Sequence, residues 1–313
     1  MKPLAHAGRN EDLKVVAEGL LFPEGPVALR DGSVLFVEIR AGRVRRVAPD
    51  GTLSLVADCG GGPNGAAVGP DGALYVCNNG GSSYVPGQVL SSGPARDYTG
   101  GSIQRIDLAT GDCRVLYDSW NGRRLSAPND LVFDRQGGFY FTDMGKKHPT
   151  HRDHGALFYA QADGSGIRQL AYHLQQPNGI ALSPDGKTVY VAETDTARLW
   201  AFEVTGAGAV GTHGTPPPHG GRLVCGLPGY QGFDSMAVDS LGNICVATLT
   251  TGCITVIAPE GQVLRQVGVP DAHVTNICFG GPDLRTAYVT LAGTGKLGAI
   301  QWPEQGLPLN FSA

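Results

Sequence analysis

From Gln176 to Glu193 the chain reads QPNGIALSPDGKTVYVAE: a short apolar run, an Asp-Gly pair, then a second run that alternates β-branched and aromatic residues with smaller ones. Alternation with a period of two over runs this short predicts strands, and Asp-Gly between them predicts a hairpin. A polar residue in a Pro-Asn-Gly turn opens the unit. The pattern recurs at Pro23-Glu24-Gly25-Pro26 leading to VLFVE, at Pro63-Asn64-Gly65 leading to ALYVCN, in PNDLVFDRQGGFYFTD from Pro128, in FDSMAVDSLGNICVAT from Phe233, and in a degenerate VTNICFGGPDLRTAYVT from Val274. Six copies in one chain, spaced by roughly 40–65 residues with four short strands apiece, predict an all-β, six-bladed β-propeller of four antiparallel strands per blade.

Each copy supplies an inner strand and its hairpin partner, and the apolar runs that follow supply two outer strands. Lys14-Val15-Val16-Ala17 precedes the first repeat, and the last repeat lacks a fourth strand after Leu297-Gly298-Ala299-Ile300. Pairing these two segments closes the ring and removes an exposed sheet edge. Residues 1–12 are expected to form a loose tail, and residues 13–313 one propeller domain.

Antiparallel alternation sorts the connections between two faces. If each inner strand starts at the top, the second-to-third and fourth-to-first connections lie on top and the other turns lie at the bottom. The long insertions 78–101 and 144–154 are then top-face segments able to cover a site there. The stretch 205–221, with prolines at 216–218, is a bottom-face spacer, and the Asp-Gly hairpins share its face and are assigned no chemistry.

Composition fits this picture. The 47 glycines and only 17% charged residues among 313 suit many tight turns between buried strands. A net charge of −4 gives no basic footprint for nucleic acid or anionic membrane. No run of 18 apolar residues occurs and the first residues lack the apolar segment of a secretory signal. The 7 cysteines include no CxxC pair, so they are expected to be reduced and the protein cytoplasmic, as a monomer or small homo-oligomer.

The position that opens each inner strand is Glu24, Asn64, Asn129, Asn178, Asp234 and, in looser register, Thr275 or Asn276. Inner strands surround one axis, so these residues are predicted to form a ring at its mouth. Unpartnered carboxylates and amides around a narrow channel are costly. Two carboxylates with amide oxygens make a hard, all-oxygen donor set. It suits Ca²⁺, with Mg²⁺ or Mn²⁺ as substitutes and Zn²⁺ a poorer match. Any one Pro-Asn-Gly reads equally as a turn; Glu24 and Asp234 in the same register argue for ligation. His148, His151 and His154 in HPTHRDH have a spacing that could hold a transition metal, on a loop that otherwise reads as a lid.

The pieces FPEGPV, PNDLVFDRQGGFYFTD, PNGIALSPDGKTVYVAET and DSMAVDSLGNICVA resemble the family of senescence marker protein, gluconolactonase and luciferin-regenerating enzyme. The resemblance implies a six-bladed propeller and a divalent-metal hydrolase that opens lactones. It assigns Glu24, Asn178 and Asp234 to the metal, Asn129 to metal or substrate, and to Asp234 also the part of base or nucleophile. Asn64, Arg123 and His273 are further candidates for contact with the lactone. Members acting on sugar lactones often carry arginine where this chain has Ala127 and glycine where it has Leu131; the segment 128–143 is closer to bacterial drug-responsive lactonases, which favour less polar substrates. Two rival readings are a phosphotriester hydrolase like diisopropylfluorophosphatase and a propeller used only as an interaction platform.

Overall fold

The computed structural model describes residues 12–214 and 217–312. The expected tail, apart from Asp12, and one of the three prolines of the 205–221 insertion lie outside the described residues.

Six sheets of four or five strands form the blades of a β-propeller. Blade 1 is Pro23–Ala28, Val34–Glu38, Arg43–Val47 and Leu53–Asp58, each strand antiparallel to the next. The inner strands of the remaining blades are Pro63–Val68, Pro128–Phe133, Pro177–Leu182, Gly232–Val238 and Val274–Gly280. Each inner strand packs on the next, and that of blade 6 packs on that of blade 1, so the ring is closed. The closure uses the N-terminal strand Lys14–Glu18, which pairs with Lys296–Gln301 in the register Lys14↔Ala299, Val15↔Gly298. Chain ends meeting in one sheet leave no half-finished blade as a template for aggregation.

The core is distributed to match. Six apolar clusters occupy the six junctions between blades; one joins Leu35, Val37 and Val44 of blade 1 to Val68, Leu74 and Val76 of blade 2, and another joins Leu297 of blade 6 to Phe36 and Val47 of blade 1. Because the pleat alternates side chains between two faces and both faces meet a neighbouring blade, the second strands of blades 1 to 3, VLFVE, LYVCN and GFYFTD, are buried at every position.

The faces are arranged as the alternation requires. Insertions 78–101 and 144–154 overlie the mouth at which the inner strands begin. The Asp-Gly hairpins lie at the opposite end, where the C-terminal segment returns: Asn310 donates to the Phe133 carbonyl at 2.8 Å and Phe311 meets the Phe133 ring edge-on at 5.8 Å. None of the cysteines is in a disulfide, and among the described residues no helix is long and apolar enough to cross a membrane.

Candidate active site

Glu24, Asn64, Asn129, Asn178 and Asp234 from blades 1 to 5, with His273 ahead of the sixth inner strand, line one cavity of about 380 Å³ at the top of the channel. All but His273 are nearly enclosed, with Glu24 and Asn129 each 2% exposed, Asn178 4% and Asp234 7%. Arg123 does not join them. It pairs with Trp120 in a two-stranded ribbon and is exposed. Neither Thr275 nor Asn276 opens into the cavity; Asn276 lies beneath it and donates to Glu24 Oε2 at 2.7 Å.

The expected Pro-Asn-Gly turns are strand. Pro63 pairs with Asn78, Pro128 with Asp143 and Pro177 with Glu193, and pairing then slips before resuming at Ala66, Leu131 and Ile180. Blade 1 slips after Glu24 and blade 5 between Phe233 and Met236. Every ring residue therefore sits at a bulge, which bends the strand and re-aims a side chain, here toward the mouth. Proline at the first strand position removes a donor where the ladder does not need one. The glycines serve close approach. A Cβ on Gly65 would lie 2.6 Å from Asp130 Cα and 2.7 Å from the Asn129 carbonyl oxygen, and one on Gly179 would lie 2.6 Å from Ser235 Cα.

A second polar position supports the ring. The residue opposite each proline accepts backbone N–H groups from the connection that delivers the ring residue: Leu21 to Glu38 at 2.7 Å, Gly62 to Asn78 at 2.9 Å, Ser126 and Ala127 to Asp143 at 2.7 Å each, and Gln175 to Glu193 at 2.6 Å. A polar residue at the end of an apolar strand, in VLFVE, LYVCN, FYFTD and TVYVAE, was the available sequence signal. Asp143→Ala would leave those two N–H groups and that of Gly145 without their acceptor. At roughly 1–3 kcal/mol for each buried donor left unmatched, partly relieved by water, a loss of about 3 kcal/mol is expected in urea unfolding. A midpoint within error of wild type would refute the strut.

The side chains of the ring are incompletely satisfied. Asn178 donates to Thr194 Oγ1 at 3.1 Å and accepts from Ser235 Oγ at 3.3 Å. Glu24 Oε2 accepts from the Gly25 N–H at 2.5 Å. Asn129 Nδ2 meets only the Met144 sulfur at 3.3 Å, and its enclosed Oδ1 has no partner. Burial raises the pKa of Glu24, and burial followed by the charge of Glu24 raises that of Asp234 well above the usual carboxylate range. Asp130, in the place of a glycine, is a third buried acid beside them, pushed up to about 8 by burial and then by Glu24. No basic side chain is among the groups that shift these three acids. A divalent cation fits this set on two counts: it would give Asn129 Oδ1 a partner, and it would offset the mutual repulsion of the acids.

The insertions furnish the walls. Arg40 lies over the Tyr84 ring at 4.2 Å and donates to the carbonyls of Gln88 and Val89, pinning the first insertion to blade 1. Lys146 of the second insertion donates to the Asn79 and Gly81 carbonyls at 2.8 and 2.6 Å; its burial lowers its pKa to about 8. Phe22, Ile39, Tyr84 and Leu90 form an apolar side of the cavity; Arg152, Thr194 and Asp195 stand among its polar lining. His154 turns away to pack on His173 at 4.8 Å, so the three-histidine spacing does not assemble.

Fold and site together define a closed six-bladed propeller whose oxygen-rich mouth gathers acids and amides from successive blades. The SMP-30/gluconolactonase/LRE-like family profile matches residues 22–293, and the chain belongs to that family. Gluconolactonase of Zymomonas mobilis is 27% identical over 296 residues, covering 86% of this chain and 76% of its own. Lactonase drp35 of Staphylococcus haemolyticus is 30% identical over 264 residues, covering 82% and 72%. Among solved structures, the calcium-binding protein regucalcin of Agrobacterium tumefaciens superposes with a TM-score of 0.75 at 19% identity, over 95% of this chain and 96% of its own, a likeness of fold.

Proposed function

We propose that this protein is a divalent-metal-dependent lactonase whose cation, Ca²⁺ by the hardness of the donors, is held by Glu24, Asn178, Asp234 and Asn129. The observation that carries this reading is the meeting of these four side chains at one cavity with Asn129 Oδ1 buried and unpartnered. The names of the gluconolactonase and drp35 relatives support the lactone as substrate.

When bound, the cation supplies a Lewis acid for the lactone carbonyl. Asp234 takes a proton from the water that attacks the carbonyl carbon; the ring C–O bond breaks, the ring oxygen receives a proton, and a hydroxy acid leaves. Asn129 and Asn64 orient the ester from the neighbouring blades, and His273 stands at the rim. Ala127, which lines the cavity where sugar-lactone hydrolases often carry arginine, and the Phe22, Ile39, Tyr84 and Leu90 wall favour a lactone with an apolar substituent over an aldonolactone.

The test is a lactone panel, with an organophosphate triester in parallel, assayed with Ca²⁺ and with chelator. Chelation is expected to abolish lactone opening and Ca²⁺ to restore it, while the triester is turned over poorly. Ca²⁺ at about 100 times its Kd should also add about 2.7 kcal/mol to stability. Lactone hydrolysis undiminished after metal removal would overturn the proposal.

A further inference from the structure

We propose a second metal site, for a transition metal ion such as Zn²⁺, on the insertion at the rim of the cavity, with His148, His151 and Asp153 as ligands. One potential ligand atom from each of the three lies within 4.8 Å of the others. The site is separate from the ring: none of its three residues lines the cavity, although Lys147 and Arg152 between and beside them do.

The local chain is built to hold these groups together. His148-Pro149-Thr150-His151 is a tight turn in which the His148 N–H donates to the His151 carbonyl at 2.8 Å, and Lys147 and Arg152 bridge behind it. Proline at the second position restricts its own φ and so stiffens the reversal. The two imidazoles are thereby stacked, with centroids 4.4 Å apart and planes 12° from parallel. Two residues further on, Asp153 Oδ2 lies 3.4 Å from His148 Nε2. That carboxylate is itself oriented, accepting from Ser126 Oγ at 2.6 Å and from the Lys146 N–H at 3.3 Å, while its own N–H donates to the Lys146 carbonyl at 3.0 Å. Hydrogen bonds of this kind to a ligating carboxylate are the outer-shell support that fixes ligand direction in metal sites.

The donor chemistry separates the two sites. Two imidazole nitrogens and one carboxylate are the set that three-ligand Zn²⁺ sites use, with a position left for water. Ca²⁺, which takes six to eight oxygens, has little to gain from them. The ring offers the reverse, oxygens without an imidazole among its four proposed ligands. His151 is exposed and His148 and Asp153 are half-buried, so an ion reaches the turn from solvent without entering the cavity.

The experiment uses the full chain saturated with Ca²⁺. Titration with Zn²⁺, followed by calorimetry, and with Co²⁺, followed by its visible ligand-field bands, should show one further equivalent of metal per chain. The ¹H–¹⁵N imidazole resonances of His148 and His151 should be the ones that move. The double variant His148→Ala/His151→Ala should lose that equivalent and keep Ca²⁺-dependent stabilisation and lactone hydrolysis. Asp234→Asn should keep it, which distinguishes failure at the turn from failure at the ring. No further equivalent in the wild type up to millimolar Zn²⁺, or an equivalent that survives in the double variant, would overturn the site.

Discussion

Asp234→Asn should reduce kcat/KM for lactone opening by about 10²–10⁴ while leaving the metal-free protein at least as stable as wild type. The activity loss follows from the proposed role: an amide of the same shape does not accept a proton from water at neutral pH. The stability follows from the surroundings. Asp234 is buried, and the charges of Glu24 and Asp130 act on it in the direction that disfavours its ionisation. Converting it to a neutral group removes a repulsion that the metal-free fold otherwise has to absorb. The increment of stability gained on adding Ca²⁺ should shrink, because one anionic oxygen has left the donor set. Three measurements separate these effects: the melting temperature in chelator, the shift on adding Ca²⁺, and turnover. Turnover near the wild-type level would remove Asp234 from the role of base. A collapse of the fold in chelator would mean that the carboxylate is structural.

The second large effect is expected at a residue with no functional group. Gly179 has an ordinary backbone angle, so Gly179→Ala brings no torsional strain. What the new methyl meets is blade 5: Ser235 Cα at 2.6 Å, the Asp234 carbonyl oxygen at 2.7 Å and the Met236 nitrogen at 2.9 Å. None of these atoms is the free end of a flexible side chain, so the inner strands of blades 4 and 5 have to move apart. Overpacking of this kind typically costs about 1–3 kcal/mol, and immovable backbone puts the expectation at the upper end. The displaced segment carries Asp234, and Asn178 precedes the substituted residue. Ca²⁺ affinity and turnover should therefore fall along with stability. Gly166→Ala is the control: its Cβ meets nothing within 4 Å and its backbone angle is ordinary, so neither melting temperature nor activity should change measurably. Equal effects at the two positions would refute the account of close approach at the axis.

Both expectations rest on residues that the sequence displays unequally. Strand alternation, the hairpin turns and the repeat interval are local properties, set by side chains within a few positions of one another, so the blades, their number and the pairing of Lys14–Glu18 with the last strand were legible. Rotational repetition also made the ring legible, since equivalent positions of successive repeats must face one axis. The strand state of Pro-Asn-Gly was not legible in the sequence. Alone it is a good turn sequence, and only the crowding of neighbouring inner strands turns its glycine into a packing requirement. The role of Asp130 was not legible either, because one substitution in one repeat carries no periodic signal.

The order of apolar and polar residues along this chain determined the propeller and brought Glu24, Asn64, Asn129, Asn178 and Asp234 to its mouth, because both follow from short-range pattern repeated about an axis. The tertiary structure alone decided that Arg123 faces solvent, that Asp153 rather than His154 stands beside His148, and that Asn129 Oδ1 lacks a partner. Those outcomes depend on where irregular connections of different blades come to rest against one another. Contacts between segments distant in sequence settle that, and no periodicity encodes it.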